Sequence, residues 1–378
     1  MFPKLSSIKP IVPIIRRQFS VCELPKDLRQ VQKTCRNFAE RELQPIAAEL
    51  DREARFPAKQ IAQLANLGLM RVTVAPEYGG SNLVPVPSYR STSAGTDQQK
   101  DQFFTKYAAE TIGAFALSES EAGSDVAAMS MRAERDRSSD WVLNGSKAWV
   151  TSAKEAKSGI IFATVDPELK YKGITAFLVD FEGLEGLSVG RKEDKLGIRA
   201  SSTCSLHFSN VRIPASSVLG KVGGGFRIAM EQLDRARIGI ASQALGIAQA
   251  ALETAVQYAD QRVAFGQSLS ALQAVQTRIA EMAVRIEMAR LLIRQAAGKV
   301  DQGQPATKAI SMAKWVAGET ATFAAHNCQQ ILGGMGYVRD MPAERYYRDA
   351  RITEIYGGVT DVQKAIVADH VIRELRSK

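Results

Sequence analysis

Residues 116–128 read "ALSESEAGSDVAA", a stretch crowded with serines and free main-chain amides. Ser118, Ser124 and the N–H groups around them suit the capture of a polar ring edge and a phosphate, because successive backbone donors form an anion-binding concavity. Near the C-terminus, "TEIYGGVTDVQ" (353–363) centres on Gly357 and Gly358, with Glu354 and Asp361 as the nearest acids. Metal chemistry is not indicated. Cys22, Cys35, Cys204 and Cys328 are scattered without a C-x-x-C pair, and His207, His326 and His370 are equally dispersed, so structural thiols are the expectation. The glycines of "GGMG" (333–336) follow a helical pattern and have no βαβ alternation around them, which argues against a Rossmann site. "VGGGF" reads as a turn and helix start.

The elements that must position these residues fall into three regions, an α+β multi-domain pattern. From Leu28 apolar residues recur at helical spacing, and a further helix from Ala58 stops near Gly68, giving an N-terminal helical domain over 24–110. Within it "VPVPSYRSTSAGTDQQK" (84–100) has no periodicity and is expected to be a loop. Residues 111–215 are expected to form a middle antiparallel β domain. "GIIFATVD", "GITAFLVD" and "STCSLHFSNVRI" are β-rich runs, and Asn144-Gly145 inside "WVLNGSKAWVTS" signals a hairpin turn. Residues 220–378 are almost wholly helical, with two runs long enough to be principal helices of a four-helix-bundle-type domain.

Composition narrows the class further. At 378 residues, 45% hydrophobic and 24% charged, the chain can bury a sizeable core. Of the formal charge of +9, Lys4, Lys9, Arg16 and Arg17 supply four before the first acid, Glu23. That basic, proline-interrupted opening predicts a mitochondrial transit peptide over residues 1–22, the plainer alternative being a flexible basic tail. The other charges interleave with acids along helices, the pattern of a solvated face and not of a nucleic-acid surface. No run approaches the length of a membrane span.

Two long motifs carry a resemblance. "ALSESEAGSDVAA" resembles the first signature of the acyl-CoA dehydrogenase family, and "QILGGMGYVRDMPAERYYRD" (330–349) resembles the second. "KEDKLGIRASST" and "GGGFRIAMEQLDRARIGIASQALGIAQAALE" look like its short-chain branch, and similarity runs from about Leu24 to the end. The resemblance implies two helical domains flanking a β-barrel-like domain, FAD as cofactor, a homotetramer in the mitochondrial matrix, and α,β-dehydrogenation of a short-chain acyl-CoA thioester in fatty-acid β-oxidation. Electron transfer flavoprotein is the implied acceptor. Matched residue by residue, Phe115, Ala116, Leu117, Ser118 and Ser124 fall where the family meets flavin and substrate, and Trp149, Val150 and Thr151 on a flavin-facing hairpin. Arg262, Gln273 and the backbone of Gln330, Ile331, Leu332, Gly333 and Gly334 match groups reaching the adenine-side phosphates. Asp234, Arg235, Ala236 and Arg237 match the stretch that meets the CoA portion, and Gly358 and Ser124 are further expected substrate contacts.

The same resemblance raises a chemical question. The α-proton of a thioester is weakly acidic, so its removal needs a base within hydrogen-bond reach and donors on the thioester oxygen. Most of the family places a Glu after the Tyr of the C-terminal loop, where this chain has Gly357. Some branches place it just before the Arg that matches Arg237, where this chain has Ala236. Asp234 lies two residues before Ala236, about 200° around a helix, and should face elsewhere. Asp361 and then Glu354 remain as surrogate bases, although the first turn of a helix suits Asp361 and a structural role suits Glu354. Val359 replaces a Thr of the relatives. Several helical turns that relatives carry between the loops matching Glu77–Gly80 and Gly95–Lys100 are replaced here by "SNLVPVPSYRSTSA". The alternative to an active dehydrogenase is a pseudoenzyme that binds FAD or acyl-CoA, or joins other subunits, with little or no turnover.

Overall fold

The structure is a computed structural model that describes residues 24–72, 80, 94–107 and 111–377. The expected transit peptide and the replaced segment at 81–93 lie outside the described residues. Contacts divide the chain into two compact units: among the described residues, one is chiefly 37–194 and 199–232, and the other 24–36, which holds most of the first helix, with 195–198 and 233–377.

Four helices precede the sheet: α1 (Lys26–Phe38), α2 (Ala47–Glu53), α3 (Ala58–Asn66) and α4 (Asp97–Tyr107). Beyond α3 the chain turns through Gly68 at φ +79, a left-handed conformation that glycine adopts without penalty. The expected loop over 84–100 is corrected at its end, where α4 begins at Asp97. Its start is a reciprocal cap: Gln99 N donates to Thr96 Oγ1 at 3.1 Å and Thr96 N to Gln99 Oε1 at 2.9 Å. The Gln99 amide then donates to the Ser216 and Val218 carbonyls, tying α4 to the last edge of the sheet.

Eight strands form one sheet: β1 (Ile112–Ala116), β2 (Arg132–Arg135), β3 (Trp141–Thr151), β4 (Ala156–Thr164), β5 (Ile174–Asp180), β6 (Leu187–Val189), β7 (Thr203–Ile213) and β8 (Val218–Leu219). The order is β6-β7-β3-β2-β4-β5-β8, with β1 also paired to β4. Two expectations are corrected here. The sheet is not purely antiparallel: β1 runs parallel to β4, with Phe115 opposite Ile160, and β2 meets β4 in one parallel pair. Asn144-Gly145 is not a hairpin turn, because β3 continues unbroken from Trp141 to Thr151. Gly145, at φ +136, sits at a bulge against β7, and an added Cβ there would lie 2.9 Å from Met131 Cα. The glycine is there for close backbone approach, not for a turn. Leu143, Ile161, Phe177, Leu206 and Val211 fill the core of this unit.

The second unit is helical. It contains most of α5 (Gly225–Gln261), then a two-stranded ribbon of β9 (Val263–Ala264) and β10 (Gln267–Ser268), and α6 (Gln273–Asp301), α7 (Thr307–Leu332), α8 (Gly334–Tyr337), α9 (Ala343–Arg351) and α10 (Thr360–Arg376). Ala241, Ala244, Ala248, Ala251, Ala255 and Ala259 make a buried stripe along α5 at spacings of three and four. Such small residues let helices approach closely, and α7 answers with Ala309, Ala313, Ala317 and Ala321. At Gly318 an added Cβ would press on the Thr353 carbonyl at 3.2 Å, so α7 packs directly on the segment leading into the two-glycine turn. The architecture is α+β: N-terminal helices, a middle β-sheet and C-terminal helices.

Candidate active site

The turn at Gly357–Gly358 is held by its carbonyls. Arg237 on α5 donates from Nε to Gly357 O at 2.8 Å. Gly358 O accepts from Lys314 Nζ on α7 at 2.8 Å and from Gln363 Nε2 on α10 at 3.0 Å. All three donors are buried, so each bond is formed out of competition with water. Both glycines have positive φ, +66 and +96. A side chain at 357 would meet Ile240 Cδ1 of α5, and one at 358 would meet Gln363 Nε2 and, at 3.1 Å, Arg237 Nη2.

The expected site residues around this turn have separate duties. Asp234 accepts from Arg237 Nη1 at 2.8 Å and from Thr307 Oγ1 at 2.7 Å, which fixes the guanidinium from behind. Ala236 is exposed, as is Asp361, which stands in the first turn of α10. Glu354 is engaged by Thr322 Oγ1 and by Arg351 Nη1, the latter at 2.8 Å. Those partners occupy its carboxylate in holding α9 and α7 together. The Tyr356 hydroxyl donates to Gln243 of α5.

Burial sets the electrostatics. It draws the Arg237 guanidinium below its ordinary value, against the opposing charge and hydrogen bond of Asp234. Lys314 is pulled down to about 8 by burial, assisted by the charge of Arg237 and offset by Glu354. Burial also pushes the Tyr356 hydroxyl up, against its bond to Gln243. The turn is therefore backed by two buried cations and carries no acid of its own.

The residues expected to meet a flavin lie in both units. In the sheet unit, Ala116 and Leu117 are buried, Phe115 packs edge-on against Phe162, and Ser124 is exposed. Ser118 O accepts from Ala148 N at 2.9 Å, which fastens the end of β1 to β3. Val150 is buried and Thr151 exposed. Trp149 stands out, with φ +59 and an indole that is 65% exposed, a strained residue presenting a flat apolar face. In the helical unit, Arg262, Gln273 and Gln330 are exposed, while the side chains of Ile331 and Leu332 are in the core. Gly333 and Gly334 have nothing within 4 Å of an added Cβ, so their backbone is open to approach. Each unit by itself offers a feature that suits one part of FAD: the outward indole of the sheet unit suits a planar ring, and the bare glycine backbone of the helical unit suits a pyrophosphate. Among the described residues no group of three or more His, Cys, Asp or Glu could hold a metal ion, and no helix is long and apolar enough to cross a membrane.

The family models for the N-terminal, middle and C-terminal domains of acyl-CoA dehydrogenase match residues 25–92, 114–211 and 223–372 in turn. The chain belongs to the acyl-CoA dehydrogenase family. This is a family of FAD-dependent oxidoreductases acting on CH–CH groups in fatty-acid oxidation. The mitochondrial short-chain specific acyl-CoA dehydrogenase of Bos taurus is 49% identical over 382 residues, covering 94% of this chain and 92% of the relative, and that of Homo sapiens is 47% identical with the same coverage. The matched stretch is longer than this chain, so these relatives carry residues that this acyl-CoA dehydrogenase family member lacks. Butyryl-CoA dehydrogenase from Megasphaera elsdenii superposes with a TM-score of 0.88 at 35% identity, covering 93% of this chain and 99% of that structure. PigA, solved with FAD and proline, superposes with a TM-score of 0.86 at 25% identity, covering 93% and 98%.

Sequence reasoning missed Ile240, Lys314 and Gln363. Lys314 had a signal, being a lysine among the small residues of "SMAKWVAGETAT" on the face of α7 that the alanines mark as buried. Ile240 and Gln363 had none, since their place at the turn depends on how α5 and α10 pack.

Proposed function

We propose that this acyl-CoA dehydrogenase family member binds FAD and a short-chain acyl-CoA thioester and serves α,β-dehydrogenation, with Gly357 standing where the family's glutamate base stands. The observation that carries the reading is the turn itself: Arg237 and Lys314 hold its two carbonyls in place with no acidic side chain on it. Bound FAD supplies the acceptor for the β-hydrogen. The chain's own part is to orient the ligands: in the sheet unit Trp149 offers a face to the ring and the Leu117–Ser118 main chain borders it; in the helical unit the Gly333–Gly334 backbone admits phosphate, and the Asp234–Arg237 stretch matched to the CoA portion offers the exposed Ala236, Asp234 and Arg237 being engaged with each other and with the turn. Losing a positioned base forfeits on the order of 10²–10⁴-fold in rate. Turnover then relies on Asp361 or on water, Glu354 being occupied by Thr322 and Arg351.

A second reading, a binding protein with little turnover, is favoured by Ile240, whose Cδ1 takes the space a side chain at 357 would need. We assign the chain to the mitochondrial matrix as a homotetramer, with electron transfer flavoprotein as electron acceptor, on the strength of its mitochondrial relatives and its family. Purified protein should be yellow, and anaerobic butyryl-CoA should bleach the flavin band if the first reading holds. Ligand-dependent thermal stabilisation with no α-proton exchange in deuterated buffer selects the second. Colourless protein that takes up no added FAD removes both.

A further inference from the structure

Lys147 is fully buried on β3, at 0% exposure, in the middle of the sheet unit. Its ammonium donates to the Glu119 carboxylate at 2.7 Å and to the Leu117 carbonyl at 3.0 Å. Glu119, also buried, accepts three further bonds, from Ser130 N at 2.6 Å, Ser130 Oγ at 2.8 Å and Met131 N at 3.1 Å. Burial raises the Glu119 carboxyl, but the charge and hydrogen bond of Lys147 and the bonds from Ser130 outweigh it and hold the group below its ordinary value. Burial in turn draws the Lys147 ammonium below its ordinary value, against the charge and hydrogen bond of Glu119, and the carboxylate is well satisfied.

An ion pair at this depth is poor evidence for stability, because apolar side chains of similar volume often serve the fold as well or better. Its placement points to a different use. Lys147 grips the main chain at Leu117 from β3, and the next residue, Ala148, donates its N–H to Ser118 O at 2.9 Å. The residue after that is Trp149, with its positive φ and outward indole. Three consecutive residues of β3 therefore fix two consecutive carbonyls beyond β1 and present the exposed ring beside them.

We infer that the buried Lys147–Glu119 pair is a positioning device, which sets the Leu117–Ser118 main chain against Trp149 so that a platform for a planar polar ring exists before any ligand arrives. The inference rests on the flavin reading for the identity of that ring, the isoalloxazine of FAD. Lys147 and Glu119 act through the main chain and do not touch the ligand.

The test uses the full chain and the double variant Glu119→Gln/Lys147→Met, which removes both charges together and leaves neither buried alone. Two readouts are taken: exchange of the Ala148 amide in the apo protein, and FAD titration followed by affinity and visible spectrum. The expected result is a cooperative melt, Ala148 exchange faster by about tenfold or more, FAD bound about tenfold or more weakly, and a displaced flavin band. Wild-type exchange, affinity and spectrum in the double variant would overturn the inference and leave the pair a purely structural feature. Should the double variant not fold, Ser130→Ala, which removes one hydrogen bond at an exposed residue, is read the same way: faster Ala148 exchange supports positioning and an unchanged rate overturns it. If wild-type protein takes up no FAD, the flavin reading fails by itself, while the Ala148 exchange still decides whether the pair preorganises the platform.

Discussion

Placing an acid on the two-glycine turn is the sharpest test of how the site is built. Gly357→Glu places an L side chain at φ +66, which costs about 1–2 kcal/mol. The new Cβ also needs the space that Ile240 Cδ1 fills, and driving Ile240 off its rotamer costs about 0.5–1.5 kcal/mol. Against that, a positioned base is worth on the order of 10²–10⁴ in rate, about 3–5 kcal/mol of barrier. Those costs lower Tm, and because the Ile240 contact also holds the new carboxylate off its productive position, the single variant should gain only about tenfold in α-proton exchange. Gly357→Glu/Ile240→Ala should recover a further factor of about ten, because the side chain that displaces the carboxylate is gone. The assay is loss of the α-proton signal of butyryl-CoA in deuterated buffer, followed by NMR, with thermal melts in parallel and Ile240→Ala alone as control. If single and double variants exchange equally fast and melt together, Ile240 does not obstruct position 357. If neither exchanges faster than wild type, an acid at 357 does not reach the α-carbon, and the turn is not the family's base address in this chain.

Three other outcomes follow from the same geometry. Lys314 titrates near 8 in the folded chain against an ordinary 10.5, so below pH 8 both states are protonated and the burial penalty is present in full; between pH 8 and 10.5 the unfolded chain holds more proton, and stability rises with pH. Urea melts at pH 7.5 and 10 should show wild type gaining on Lys314→Met by about 2 kcal/mol, and parallel profiles would contradict the assignment. Arg237→Met strips the partner from Asp234 and the donor from Gly357 O, and should cost about 3–5 kcal/mol in urea denaturation; a loss below about 1 kcal/mol would mean the guanidinium is not the anchor. Trp149→Gly should leave the apo protein as stable or about 1 kcal/mol more stable, by relieving positive φ at an exposed residue, while weakening FAD binding; tight FAD binding in that variant would remove Trp149 from the platform.

The helices were legible in the sequence because their signals are local. The long apolar periodicities of α5 and α6, the Gly68 stop and the acid in the first turn of α10 need no knowledge of the rest of the chain. The sheet was legible in its strands and illegible in its pairing. That β1 runs parallel to β4 depends on a choice of partner some forty residues away, for which strand composition carries no mark. Asn144-Gly145 misled because a turn and a close crossing call for the same residue; only Met131, arriving from β2's side, shows which need glycine meets. Thr96 and Gln99 were a readable helix start hidden inside a stretch that looked like loop. At the site, two adjacent glycines with no side chain to offer were plain from the chain alone. What fills the space beside them was not, since Ile240 reaches position 357 across more than a hundred residues.

The two-glycine turn takes its course from carbonyl oxygens gripped by Arg237, Lys314 and Gln363, so nothing in its shape is owed to a side chain of its own. A bend tethered that way holds its course with no reactive side chain on it, so folding and proton abstraction would place their demands on different atoms of the same few residues.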